Sequence, residues 1–250
     1  MVEMEGPEPV RHRVKQFFRF QKEETKHLII SILAVAFIFA YNDGRDSFNA
    51  AFWISNFLVV LMIVTLTFLV HVGAQKVFSL QQGYIAEYRM WTTGLVLGIA
   101  VALLSGGKWY LVLPGGIFMQ HMMIQRLGKF RYGLNVKAMA NIAASGSVAN
   151  LVLATIAVAM SKQLHILPHF FDLVAKINFW FLIFMLLPLP NLPGLFVFFA
   201  SRLIYVFFFT TLLAYVLLVS LGVYSWVLSL LIGVTCWILF YMFFEKPVRA

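Results

Sequence analysis

Four stretches of this chain, residues 51–70, 138–160, 203–221 and 223–244, run the length of a bilayer-spanning helix without one charged side chain. A helix needs about 20 apolar residues to cross a hydrocarbon core about 30 Å thick. Lipid offers no water to backbone N–H and C=O groups, so a spanning segment must satisfy them within itself. Four such runs in 250 residues predict an all-α, multi-pass membrane protein. Charged residues make up only 12% of the chain, where soluble domains carry about 25%. So few charges cannot cover a water-facing surface.

Four further apolar runs are shorter or interrupted: 28–41, 93–105, 109–124 and 170–187. The first extends over its flanks to a full span. The last carries Asp172 and Lys176 near its start, so its apolar part begins late. The two middle runs are broken by Gly106-Gly107-Lys108 and by Pro114-Gly115-Gly116. Together, 93–124 reads as an irregular re-entrant hairpin, which at membrane depth must be buried in protein or line a cavity. The expectation is about six transmembrane helices with this hairpin after the second. Residues 1–27 form a basic cytoplasmic segment and 28–250 a polytopic membrane domain. The leading segment is too long and too mixed in sign for a signal peptide, and no small-residue cleavage site follows it.

The net charge of +9 would suggest nucleic acid in a soluble protein. Here the basic residues follow the membrane topology. With the N-terminus inside, fifteen lysines and arginines fall on cytoplasmic segments and four outside, at Arg45, Lys108, Lys162 and Lys176. That asymmetry predicts both termini in the cytoplasm. The lipid bilayer is the expected partner, and no nucleic-acid motif is present. Residues 10–26 are basic and amphipathic, with Phe17, Phe18 and Phe20. They read either as a helix on an anionic leaflet or as a solvated lead into the first span. The single cysteine, Cys236, lies in the last apolar run and reads as a core residue. His165 and His169 are four apart but divided by Pro168, which breaks the helix that would align them. His121 stands among Met119, Met122 and Met123, a soft-metal composition that equally reads as packing.

Three places concentrate unusual residues: Leu69-Val70-His71-Val72-Gly73-Ala74-Gln75, Gly146-Ser147-Val148-Ala149-Asn150, and the stretch from Asn178 to Gly194, which reads NFWFLIFMLLPLPNLPG. In this order and spacing they resemble the site-2 protease family of intramembrane zinc metalloproteases, archaeal-type members above all. That family carries an HExxH helix, then a loop and an irregular membrane segment, a GxxxN helix, and an NxxPxxxxDG motif. The resemblance covers roughly residues 50–205 and implies a protease-like core built from the second, fifth and sixth apolar runs.

The chain departs from the pattern where the chemistry sits. Two histidines four apart share a helix face and can hold one zinc, and the glutamate between them serves as general base. Here His71 stands at the first histidine position, Val72 at the glutamate, Gln75 at the second histidine, and Pro193 at the third ligand, the aspartate. A catalytic zinc normally needs three protein ligands. The resemblance therefore implies a pseudoprotease with no intact catalytic residue, no metal ligand set and no cofactor, the family's zinc being predicted lost. His71, Gln75, Gly146, Asn150, Asn191 and Gly194 are then expected to line an inherited cavity. His71 alone also reads as a helix-end side chain bonded to a neighbour, and Asn150 with Gly146 as plain helix packing.

The leading expectation is a catalytically inactive homologue that binds or positions transmembrane client segments. Pro188, Pro190 and Pro193 leave backbone groups free for an added strand. The alternatives are an active zinc metalloprotease with substituted ligands and a small transporter. The sequence leaves the oligomeric state open.

Overall fold

The computed structural model describes residues 7–45, 49–121 and 135–246. The chain is an all-α membrane protein, with one small two-stranded sheet among the described residues. Its elements are α1 (Pro7–Phe17), α2 (Lys22–Ala40), α3 (Ala50–Gln81), β1 (Tyr84–Met90), α4 (Thr92–Leu104), β2 (Gly115–His121), α5 (Val136–Lys162), α6 (Pro168–Met185), α7 (Gly194–Ala200), α8 (Arg202–Ser220) and α9 (Trp226–Phe240). A π-helical turn, Tyr241–Glu245, continues α9.

Among the described residues, five helices are long and apolar enough to cross a membrane: α3, α5, α6, α8 and α9 with its π turn. The sixth expected span, α2, is a helix of 19 residues, but Lys22, Glu23, Glu24 and Lys26 occupy its first turns. Its apolar part is too short to count by length and composition alone. Asn49 caps α3 by accepting from the Ala51 and Phe52 amides at 3.1 and 3.4 Å, satisfying donors that a helix start leaves open. With 32 residues, α3 runs about 48 Å at 1.5 Å per residue, well beyond the hydrocarbon thickness. One end must emerge, and the end carrying Lys76 is the charged one.

The segment expected to be a loop and a re-entrant hairpin is built differently. Residues 84–90 form β1, and β2 returns antiparallel to it in the register Tyr84↔His121 through Met90↔Gly115. Between them α4 supplies a short apolar helix. The part of the expected hairpin at 122–124 lies outside the described residues. On β1, Tyr84, Ala86 and Tyr88 are buried while Ile85, Glu87 and Arg89 are not, the period-2 alternation of a half-buried strand. Ile117 and Met119 of β2 pack with Ala86 against Ala138 and Ile142 of α5.

The core lies where α3, α5 and α6 meet. These are the helices grown from the second, fifth and sixth apolar runs. Phe68 and Val72 of α3, Leu151 and Ala154 of α5, and Phe181, Leu182 and Met185 of α6 join one apolar cluster. The peripheral pair α8 and α9 is held partly by Tyr215 stacked on Trp226, ring centres 3.8 Å apart. Most of α9 faces outward, with Val227, Leu231 and Leu239 exposed. In water such a surface would be prohibitive; beside lipid tails it is not.

Candidate functional site

The singled-out residues of α3 and α5 come together. His71 and Gln75 lie one helical turn apart on α3, both sealed from solvent, and the spacing puts them on one face. Gly146 of α5 crosses that face. A Cβ on Gly146 would stand 2.8 Å from His71 Cε1 and Nε2 and 2.9 Å from Gln75 Cδ. The missing side chain is what lets the two helices approach this closely. Gln75 Nε2 donates to the Ala143 carbonyl at 3.2 Å. The His71 ring stands edge-on to Phe181 of α6, centre to centre 5.2 Å. Neither His71 nitrogen meets full hydrogen-bond geometry with a described residue, and the Gly146 backbone is the polar group beside the ring.

Asn150 lies one turn beyond Gly146 on α5, fully buried, with both amide atoms unpartnered among the described residues. Ser147 Oγ is in the same condition. Val72 points into the apolar cluster with Phe68, Phe181 and Leu192. The other motif positions lie elsewhere. Asn191 takes a left-handed φ of 64° and is exposed, so it stands apart from the buried His71, Gln75 and Asn150. Its carbonyl oxygen lies 2.6 Å from where a Gly116 Cβ would stand, and Pro193 Cδ 3.3 Å from the same point. The proline-rich turn thus sits against the start of β2. Gly194 opens α7 directly over the Leu186 and Leu187 carbonyls, where a Cβ would overlap backbone. It is buried, and close packing is its visible role.

His165 and His169 are both exposed, and α6 begins only at Pro168. His165, with a φ of 53°, precedes the helix. The two do not share a helix face. His121 ends β2.

A zinc site does not fit the donors present. His71 is one imidazole. Gln75 spends its amide N–H on α5, Val72 offers no lone pair, and Pro193 has no side-chain donor. Among the described residues, no three His, Cys, Asp or Glu side chains come together. Catalytic zinc asks for three such ligands.

Sequence reasoning missed the most polar cluster near this face. Lys76, the residue after Gln75, buries its ammonium against Glu24 of α2, with Nζ 2.7 and 2.6 Å from the two carboxylate oxygens. Glu24 also accepts from the Tyr88 amide at 3.0 Å and the Gln21 amide at 3.3 Å. Lys76 Nζ stands 4.4 Å from the centre of the Phe20 ring. The Tyr88 hydroxyl donates to the Pro114 carbonyl at 2.8 Å and lies 2.9 Å from Ser31 Oγ. Burial pushes this phenol above its usual range. One carboxylate and one phenol thus tie α2, α3, β1 and the strand return together. The only sequence signal was an acid in the first turn of α2 and a lysine at the end of a long apolar run.

Comparison with curated proteins finds one of similar sequence. Over 101 residues, 40% of this chain and 48% of the other, it is 33% identical to a protein of Methanocaldococcus jannaschii named "Putative zinc metalloprotease". The likeness is partial. The match spans about half of that relative's length. No family model matches the chain, and no solved structure matches it.

Proposed function

We propose that this membrane protein carries a site-2-protease-like core, about residues 50–205, that holds or positions transmembrane segments of other proteins without cutting them. The observation that carries the reading is the α3 face itself. Where a metallopeptidase needs a base and a second imidazole, this chain has Val72 packed among apolar side chains and Gln75 bonded to the Ala143 carbonyl. Both have structural employment, and neither can activate water. The buried polar side chains of His71, Ser147 and Asn150 remain as groups that could bind backbone atoms of an entering segment. The reading includes both termini on the cytoplasmic side, supported by the fifteen-to-four distribution of basic residues.

A second reading, an active zinc metalloprotease with substituted ligands, is favoured by the name of the M. jannaschii relative. Metal content and the fate of a captured segment separate the two. Val72 and Leu192 are too deeply packed to carry a bulky probe. A photoreactive residue at Leu195, half-buried just past the proline break, is expected to crosslink intact membrane proteins in cells. The same probe at Leu217 or Leu231, exposed on α8 and α9, is expected to capture lipid. The purified protein is expected to hold well below one zinc per chain. Stoichiometric zinc together with cleaved captured segments would establish the protease instead. Equal capture at all three positions would remove the case for a client site.

A further inference from the structure

The Lys76–Glu24 ion pair sets the first turn of α2 beside residue 76 of α3. Counted from Ala50, where α3 begins, that level is about 39 Å along the helix axis at 1.5 Å per residue. The hydrocarbon core of a bilayer is about 30 Å thick, and about 40–45 Å with its headgroup layers. With the uncharged start of α3 at the far boundary of the core, Glu24 stands among headgroups. The preceding helix lies no deeper. It packs against α3, and Phe17 shares a groove of about 450 Å³ with Ser79 and Leu80, one turn beyond Lys76.

The elbow between α1 and α2, residues 18–21, is held in place. Gln21 Nε2 donates to Glu87 Oε1 of β1 at 2.6 Å. Phe18 meets Phe20 edge-on at 5.7 Å, and the Phe20 ring faces the Lys76 ammonium at 4.4 Å. On α1, Val14 and Phe17 are half-buried. This scaffold turns cations outward. Arg11 and Lys15 stand one turn apart on α1, Lys22 and Lys26 one turn apart on α2, and Arg19 lies between the helices; all are exposed. Glu24 is committed to Lys76. Among the described residues of this surface, Glu23 and Glu87 are the acids left to face five cations. Like charges held this close repel one another and draw counter-ions. At headgroup level, a bilayer supplies counter-ions as anionic lipids, whereas zwitterionic headgroups bring no net charge.

We propose that α1, the elbow and the first turns of α2 form a binding surface for anionic phospholipid headgroups in the leaflet at the Lys76 end of the bundle. The surface gathers these lipids beside the protein in preference to zwitterionic ones. The proposal rests on the membrane-spanning reading and is independent of the protease resemblance.

Fluorescence quenching by labelled lipid measures the enrichment. In a Cys236→Ser background, a bimane is attached at His12→Cys, exposed on α1, or at Ser220→Cys, exposed at the end of α8, where residues 203–244 carry no charge. The proteins are placed in phosphatidylcholine nanodiscs with a trace of doxyl-labelled phosphatidylglycerol, or with the same amount of doxyl-labelled phosphatidylcholine. At position 12 the anionic label is expected to quench at least about fivefold more effectively, the effect of a single cation near an anionic headgroup. At position 220 the ratio is expected near one. In about 1 M salt, where the screening length falls to about 3 Å, the ratio at position 12 is expected to fall towards one. Combining Arg11→Gln, Lys15→Gln, Arg19→Gln, Lys22→Gln and Lys26→Gln is expected to do the same at low salt. Should that variant fail to fold, the salt titration with the five cations in place decides. A ratio near one at position 12 in low salt, a ratio that survives about 1 M salt, or equal ratios at 12 and 220 would overturn the proposal. So would inorganic phosphate that lowers the ratio more than chloride does at the same ionic strength, since that marks a small-anion site.

Discussion

Replacing Lys76 with methionine keeps most of the side chain's length and removes its charge. In the native protein the ammonium lies within 2.7 Å of both Glu24 oxygens, and each residue is less than 5% exposed. The variant leaves a buried carboxylate with two amide donors, Tyr88 N–H and Gln21 N–H, and no countercharge. Removing one partner of a buried pair typically costs about 3–5 kcal/mol, because the survivor stays charged and desolvated. Glu24→Gln is expected to cost about 1 kcal/mol less than Lys76→Met. The stranded ammonium still faces the Phe20 ring at 4.4 Å, and such contacts contribute about 0.5–2 kcal/mol. The double variant Glu24→Gln/Lys76→Met leaves no unpaired charge and is expected within about 1 kcal/mol of the parent. Unfolding of the four proteins from mild-detergent micelles by added dodecyl sulfate, followed by far-UV circular dichroism, gives the cycle. A cost for Lys76→Met below about 1 kcal/mol, the value of an exposed pair, would refute the reasoning. So would a double variant whose loss is the sum of the singles.

Further outcomes are expected at other positions. Gly146→Ala puts a methyl group 2.8 Å from the His71 ring and is expected to cost about 1–3 kcal/mol; Gly73→Ala, with nothing within 4 Å, is expected to stabilise α3 by about 0.5–1 kcal/mol, both read in the same unfolding assay. Tyr88→Phe strips buried Ser31 Oγ and the Pro114 carbonyl of the hydroxyl between them; the expected loss is about 1–3 kcal/mol, and a neutral effect would mean that water replaces the phenol. Val72→Glu alone is expected to destabilise by several kcal/mol as an unpaired buried carboxylate; the triple variant Val72→Glu/Gln75→His/Pro193→Asp is expected to bind more zinc than the parent by elemental analysis, and no gain would mean that these positions do not converge. Reporter fusions at residues 1 and 250 are expected to read cytoplasmic at both ends; an external C-terminus would mean that α2 does not span.

The sequence alone determined that the chain crosses a bilayer several times, and roughly where. Transfer into hydrocarbon is summed residue by residue along a run, so uncharged stretches such as 51–70 and 138–160 state their position without reference to the rest of the chain. The break after α6 was legible for the same reason, since Pro188, Pro190 and Pro193 act on their own backbone. The helical spacing of His71 and Gln75 was likewise local. What these side chains meet was not. Gln75 bonds 68 residues away to Ala143, and Lys76 pairs 52 residues away with Glu24. The strand character of 84–90 was written in an alternation of only seven residues, and it became a sheet because 115–121 returns beside it. Asn191 and Asn150 read alike as polar residues at membrane depth, yet one is exposed on a turn and the other sealed between helices. Local free energies place a segment in the membrane; which segments touch depends on packing between residues far apart in the chain, and that only the tertiary structure decides.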